Sequence, residues 1–308
     1  MDCPTLRVFF CEGWDAYEIT ITPEGHPLSS KQIFRLASVL LFFFSLAPAI
    51  PAQSKPPAKD AQPEAHDAAP LLFAYDNGPF GQSTWPGVCN DKELRHYQAP
   101  INIIPPSAPH PGLDKIEFLG YDLPTPLTIK TTNPHNLKVY TSQKNKIIKI
   151  KDLGTYRLDE FHFHRPSEEA INNSRYPMVI HLVHSRDACL YGQPDCVVVI
   201  AVLVEEGIPT RATSALLTTL FQHFPPPALE NGVSSRLDGL LPTGYENAGY
   251  YRYPGSLTTP PCTENITFFM LKTPVRFSAK QINEFAKRYP SPNARDIQDL
   301  NGRPIESR

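Results

Sequence analysis

Residues 160–169 read EFHFHRPSEE. Two phenylalanines alternate with two histidines, and two carboxylates follow within five residues of the second histidine. Period-two alternation marks an extended strand, because successive side chains point to opposite faces. His162 and His164 therefore share one face, and Phe161 and Phe163 point into the opposite layer. A second stretch, MVIHLVH at 178–184, puts His181 on one face with Val179 and Val183. If these strands are neighbours, three imidazoles converge. Three neutral nitrogens and one open position make a catalytic zinc site, whereas a fully occupied tetrahedron is structural. By itself an H-x-H pair is more often a hydrogen-bonded pair on a half-polar face. His184 faces away from His181 and reads as a satisfied core histidine. His26, His66, His96, His110 and His223 stand in no ligand pattern.

Working outward, other runs have the same strand character: KIEFLGY (115–121), LTIKTT (127–132), NLKVYT (136–141), KIIKI (146–150), VVVIAVLVEE (197–206) and NITFFMLK (265–272). They are rich in Val, Ile, Phe and Thr and are separated by Pro, Gly or Asn. Helical spacing occurs in TRATSALLTTLFQHF (210–224), which stops at three prolines, and in SAKQINEFAKRY (278–289), which opens on a serine cap. The expected fold is mainly β, a single domain over 71–308 built around a large, mostly antiparallel twisted sheet with a few peripheral helices.

The chain has 308 residues and a net charge of −2. Such a balance gives no broad basic field for nucleic acid. Residues 37–47, ASVLLFFFSLA, follow Lys31 and Arg35 and precede small residues, the form of a secretory signal. The run is shorter than the roughly 17–25 residues of a membrane span. A signal is expected over 33–52, cut near Ala49 or Ala52, leaving an exported protein, periplasmic or secreted, with no stable membrane span. Residues 1–32 sit oddly before a signal and read as an extension whose true start lies near Leu28. Residues 53–70, rich in Pro and Ala, read as a flexible tether. Four cysteines then remain, Cys89, Cys189, Cys196 and Cys262, and allow three pairings. Cys189 and Cys196 enclose LYGQPD, so a local bridge is plausible, and Cys89 would then pair with Cys262.

The stretch 161–184 resembles the zinc-binding core of the α-class carbonic anhydrases, and the likeness continues in GTYRL (154–158), PHNLKV (134–139), YPGSLTTPPCTE (253–264) and NARDIQDLNGR (293–303). The resemblance implies zinc on His162, His164 and His181, the residues the strand argument selects. It implies a gatekeeping threonine at Thr258, beside Thr259, and an orienting carboxylate at Glu168. Zinc lowers the pKa of a bound water to about 7. Thr258 would accept a hydrogen bond from the hydroxide while donating to Glu168. The family's apolar wall for CO2 falls on Val183, Val199, Leu257 and Phe268, the last often Trp in relatives. Its proton shuttle falls on His135, with Tyr75 ordering water. Reversible hydration of CO2 to bicarbonate follows, by a chain that is a monomer or dimer. A catalytically silent relative acting as a binding module is the alternative. A zinc hydrolase built on H-E-x-x-H is excluded, since that motif is absent.

Three departures bear on the site. The family's carboxylate behind the third ligand falls on Val179, which accepts no hydrogen bond, so His181 is expected to be held less firmly. Zinc affinity would then drop about 10–100-fold. Glu160 stands behind His162, where Gln is common, and a backbone carbonyl near Asn293 serves His164. Glu169 replaces a common histidine; as a strand neighbour of Glu168 it would face away and raise that pKa only modestly, with Arg165 as an offset. N-N-S at 172–174 and N-I-T at 265–267 fit the glycosylation sequon.

Overall fold

The computed structural model describes residues 6–12, 15–21 and 73–308, except 92, 134–135, 142 and 224–228. The expected signal and tether lie outside the described residues, as does His135. The chain divides into two compact units, 1–62 and 63–308. In the first, β1 (Leu6–Glu12) and β2 (Asp15–Ile21) form an antiparallel hairpin. The sequence reading had assigned no strand there.

The second unit is built from β3 (Asn102–Ile103), β4 (Glu117–Leu119), β5 (Thr125–Asn133), β6 (Asn136–Thr141), β7 (Ile147–Ile150), β8 (Gly154–His164), β9 (Ala170–Ile171), β10 (Ser174–Arg175), β11 (Met178–Ser185), β12 (Val197–Glu206), β13 (Leu229–Ser235), β14 (Tyr250–Ser256), β15 (Glu264–Phe277) and β16 (Glu306–Ser307). Two α-helices are described, α1 (Arg211–Gln222) and α2 (Ala279–Arg288). The large sheet runs β13-β5-β6-β8-β11-β12-β15-β14-β16, with β4 and β7 attached at β8. Its pairs are antiparallel except β12 with β15. The mainly β expectation holds, and eight predicted strands fall on β4–β8, β11, β12 and β15. β14 escaped because Pro254 and Gly255 break the strand pattern. Pro254 is tolerated because its carbonyl points outward to Arg303, past the short β16, so no partner there needs its missing N–H.

Both faces of the sheet centre are covered. On β12, Val198, Ile200, Val202 and Val204 enter one core with Phe161, Phe163, Ile180 and Leu182, beneath Leu216, Leu217 and Leu220 of α1 and Phe285 of α2. Val197, Val199, Ala201 and Leu203 enter a second cluster with Val179, Val183, Phe268 and Ala99, Ile101 and Ile103. Strands buried on both faces read as unbroken apolar runs. The serine cap expected from sequence is present, as Ser278 with Gln281 forms a capping box; α1 is capped by Thr210, which accepts from the Thr213 N–H.

His184 is a core histidine, as expected. It is fully buried; Nδ1 donates to the Leu182 carbonyl at 2.9 Å and Nε2 accepts from Tyr121 Oη at 2.6 Å. Burial pushes its pKa down to about 3 from 6.5. Two disulfides are formed, Cys89–Cys262 across a separation of 173 residues and Cys189–Cys196 across 7.

Two stability measurements test this frame. Because His184 is depressed in the folded state, its contribution is complete above pH 6.5 and is lost progressively as pH falls toward about 3. Between pH 7 and 5 the wild type should lose ~2 kcal/mol, at ~1.4 kcal/mol per pH unit, that His184→Gln does not lose in urea titrations. In the chain-entropy account, the variant lacking both Cys89 and Cys262 should lose about 5 kcal/mol, and the one lacking Cys189 and Cys196 about half that.

Candidate metal centre

The three histidines are brought together by strand register. On paired strands β8 and β11, His162 stands directly opposite His181, and His164 opposite Val179. Lys138 of β6 stands opposite His162 on its other side. Paired residues share a face, so one polar row crosses the sheet amid apolar neighbours. The ring centroids lie 4.9 Å (His162–His164), 5.4 Å (His162–His181) and 4.9 Å (His164–His181) apart. One ligand atom from each ring falls within 4.8 Å of the others, and all three residues are buried.

Hydrogen bonds fix which nitrogens are free. His162 Nδ1 is bonded to Glu160 Oε2 at 2.9 Å, and His164 Nδ1 to the Asn293 carbonyl at 2.6 Å. These match the partners expected from the sequence. His181 uses Nε2, bonded to Glu169 at 3.1 Å and 3.3 Å from its two oxygens. This corrects the expectation drawn from Val179, because the third ring does have a carboxylate behind it. That carboxylate belongs to the segment after β8. Nε2 of His162 and His164 and Nδ1 of His181 are thereby left for a common ligand.

The second correction concerns Glu168 and Glu169. They lie on a bend rather than a strand, both fully buried, and both carboxylates meet His181: Glu168 Oε2 is 3.7 Å from Nδ1, on the ring's other side from Glu169. Arg165 offers no offset, since its guanidinium goes to the Pro290 carbonyl. Glu168 Oε1 accepts from the Arg295 backbone N–H at 2.8 Å, and the Thr258 hydroxyl is near enough to help hold its charge. Its pKa is pushed up to about 7, first by burial and further by Glu169, against the pull of His181 and these hydrogen bonds. Burial lowers His162 and His164, the latter well below 6.5, so both stay neutral at pH 7.

The residues fit a metal ion. A dication needs neutral imidazoles with free lone pairs and held second nitrogens. His164 Nε2 and Glu168 Oε2 are buried and make no hydrogen bond among the described residues, although only 3.3 Å separates them. A polar atom in that state is costly unless an ion or other ligand satisfies it.

The remaining predicted residues surround the rings. Val183 pairs with Val199, and Val199 with Phe268, all buried in the second cluster, with Leu257 packed against it. Phe268 meets His181 edge-on at 5.8 Å. Thr258 is buried and Thr259 partly so, in the turn between β14 and β15. The Leu257 N–H bonds the Thr263 carbonyl, and the Cys262 N–H bonds that of Thr259. Cys262 ties this turn to Cys89 beneath Trp85. Tyr75 packs on Trp85 at 5.5 Å, its phenol raised by burial and by Glu168. Sequence reasoning missed Lys138, whose Nζ donates to Glu160 Oε1 at 2.9 Å and whose charge helps hold Glu160 down to about 2. The signal was present: Leu137 and Val139 alternate with Asn136, Lys138 and Tyr140, marking a polar face.

Comparison with known proteins agrees with this geometry. The carbonic anhydrase of Pectobacterium atrosepticum is 38% identical over 177 residues, 56% of this chain; the chain thus spans 66% of that protein's length. The carbonic anhydrase of Klebsiella pneumoniae is 32% identical over 211 residues, 68% of this chain and 78% of that protein. Among solved structures, carbonic anhydrase Cah3 from Chlamydomonas reinhardtii in complex with acetazolamide superposes with a TM-score of 0.62 at 29% identity, covering 77% of this chain and 99% of the other. Since the family described as eukaryotic-type carbonic anhydrase matches residues 80–308, three quarters of the sequence and all three imidazoles, the chain belongs to that family.

Proposed function

We propose that the protein catalyses the reversible hydration of carbon dioxide to bicarbonate and a proton at a zinc ion held by His162, His164 and His181. The observation that carries this reading is the convergence of three buried imidazoles, each with its second nitrogen held, beside an apolar wall. Zinc, when bound, is a Lewis acid that brings the pKa of a water to about 7 and so makes a nucleophile at neutral pH.

The chain's own groups aim that nucleophile. Thr258 spends its proton on Glu168, so its hydroxyl offers only lone pairs to the attacking oxygen. That oxygen must point its remaining proton at Thr258, which turns a lone pair toward the substrate. The Arg295 N–H occupies Glu168 Oε1, which leaves the unbonded Oε2 to accept from Thr258. Val183, Val199 and Leu257 give CO2, which has no dipole, a surface where water is less favoured. The Thr258 backbone N–H receives the growing charge on the product oxygen. An unperturbed imidazole titrates near 6.5 and can relay a proton at neutral pH, and His135 is the residue assigned to carry the released proton to solvent. Tyr75 orders water along that route. The two disulfides support a working place in an oxidising compartment, after removal of a signal at 33–52.

Rapid-mixing pH-indicator kinetics with a metal count test the reading. The wild type should hold one zinc and hydrate CO2; zinc without hydration would leave a binding module instead. Thr258→Ala should lower kcat/KM on the order of 10²-fold, the usual cost of a misaimed reactant, with zinc content unchanged. His135→Ala should lower kcat on the order of 10²-fold while leaving kcat/KM intact, and added imidazole buffer should restore it.

A further inference from the structure

Position 179 shares a face of β11 with His181, so a side chain there stands beside the third ring. It is a valine, fully buried in the second apolar cluster and paired with Leu203 and His164. The ring's Nε2–H goes instead to Glu169, on the bend between β8 and β9. Glu169 is itself tightly held. Tyr253 Oη donates to its Oε1 at 3.2 Å, and Ser167 Oγ donates to its backbone carbonyl at 2.7 Å. Ser167 in turn accepts from the Tyr176 N–H at 2.9 Å. The Tyr253 ring stacks on Phe268 at 5.1 Å, and Phe268 borders His181. Ring, carboxylate, phenol and phenyl group thus form one closed packing unit.

One N–H serves one carboxylate. A second buried carboxylate at 179 would compete for the same donor and leave one charge unpaired, which is strongly disfavoured. We propose that Glu169 is the positioning residue for His181, turning its Nδ1 toward the two Nε2 atoms, and that position 179 is apolar because the ring's one N–H is already taken by Glu169. Either position can carry this role, but only one at a time. The proposal rests on the zinc reading above.

The test uses the full chain loaded with zinc, or with cobalt(II) as a coloured substitute, in E169A, E169Q, V179E and E169A/V179E. The readouts are zinc release to a chelator and the visible absorption of the cobalt form. E169A should release zinc about 10–100-fold faster than wild type. E169Q, which keeps an acceptor oxygen without the charge, should fall between them and serves where E169A folds poorly. V179E alone should release zinc no more slowly than wild type. E169A/V179E should recover most of the lost affinity and return the cobalt spectrum toward that of wild type, which a merely structural role at 169 would not produce. Wild-type release and spectrum in E169A and E169Q would overturn the proposal, as would slower release in V179E. No recovery in the double variant would overturn the exchange. A wild type that takes up no zinc would overturn the zinc reading and the proposal together.

Discussion

The direct opposition of His162 and His181 across β8 and β11 is the constraint on which the centre depends. A slip of one residue would send every side chain of a strand to the other face. Phe161 or Phe163 would then stand where the imidazoles are, and the rings would enter the apolar layer under α1. The register is held because neither face of β11 or β12 is free: each carries its own apolar set, and both sets are buried. The polar row of Lys138, His162 and His181 is therefore placed by the hydrophobic packing around it as much as by its own hydrogen bonds.

Within that frame, selectivity lies in the second nitrogen of each ring. Glu160, the Asn293 carbonyl and Glu169 come from three separate segments, yet each takes one imidazole N–H. Two rings are thereby turned to present Nε2 and the third Nδ1. Three buried carboxylates beside three imidazoles would be a poor arrangement without a cation. Lys138 offsets one of them, and the Arg295 N–H braces another. The unbonded Glu168 Oε2 and His164 Nε2 mark where positive charge is still wanted.

Much of this was legible in the sequence. Period-two alternation placed His162, His164 and His181 on shared faces, and β6 and β12 were read to their last residue. Apolar spacing marked one helix, and the cap residue Ser278 marked the other. What failed had physical causes. β14 was hidden by Pro254 and Gly255, which a strand tolerates only where its outer neighbour has already ended. Glu169 was misjudged because strand parity was extended past Pro166, where the chain bends and both carboxylates turn inward. Val179 was read correctly as unable to accept a hydrogen bond, but the expectation that His181 is held less firmly overlooked a carboxylate outside its own strand. Burial satisfies polar groups through space, and the replacement came from across the loop.

The bond between Cys89 and Cys262 reaches one half of the centre only. It clamps the turn that carries Thr258, while the strands that bear the imidazoles contain no cysteine. Ligand alignment thus comes from strand register alone, whereas covalent anchoring of the threonine turn waits for an oxidant.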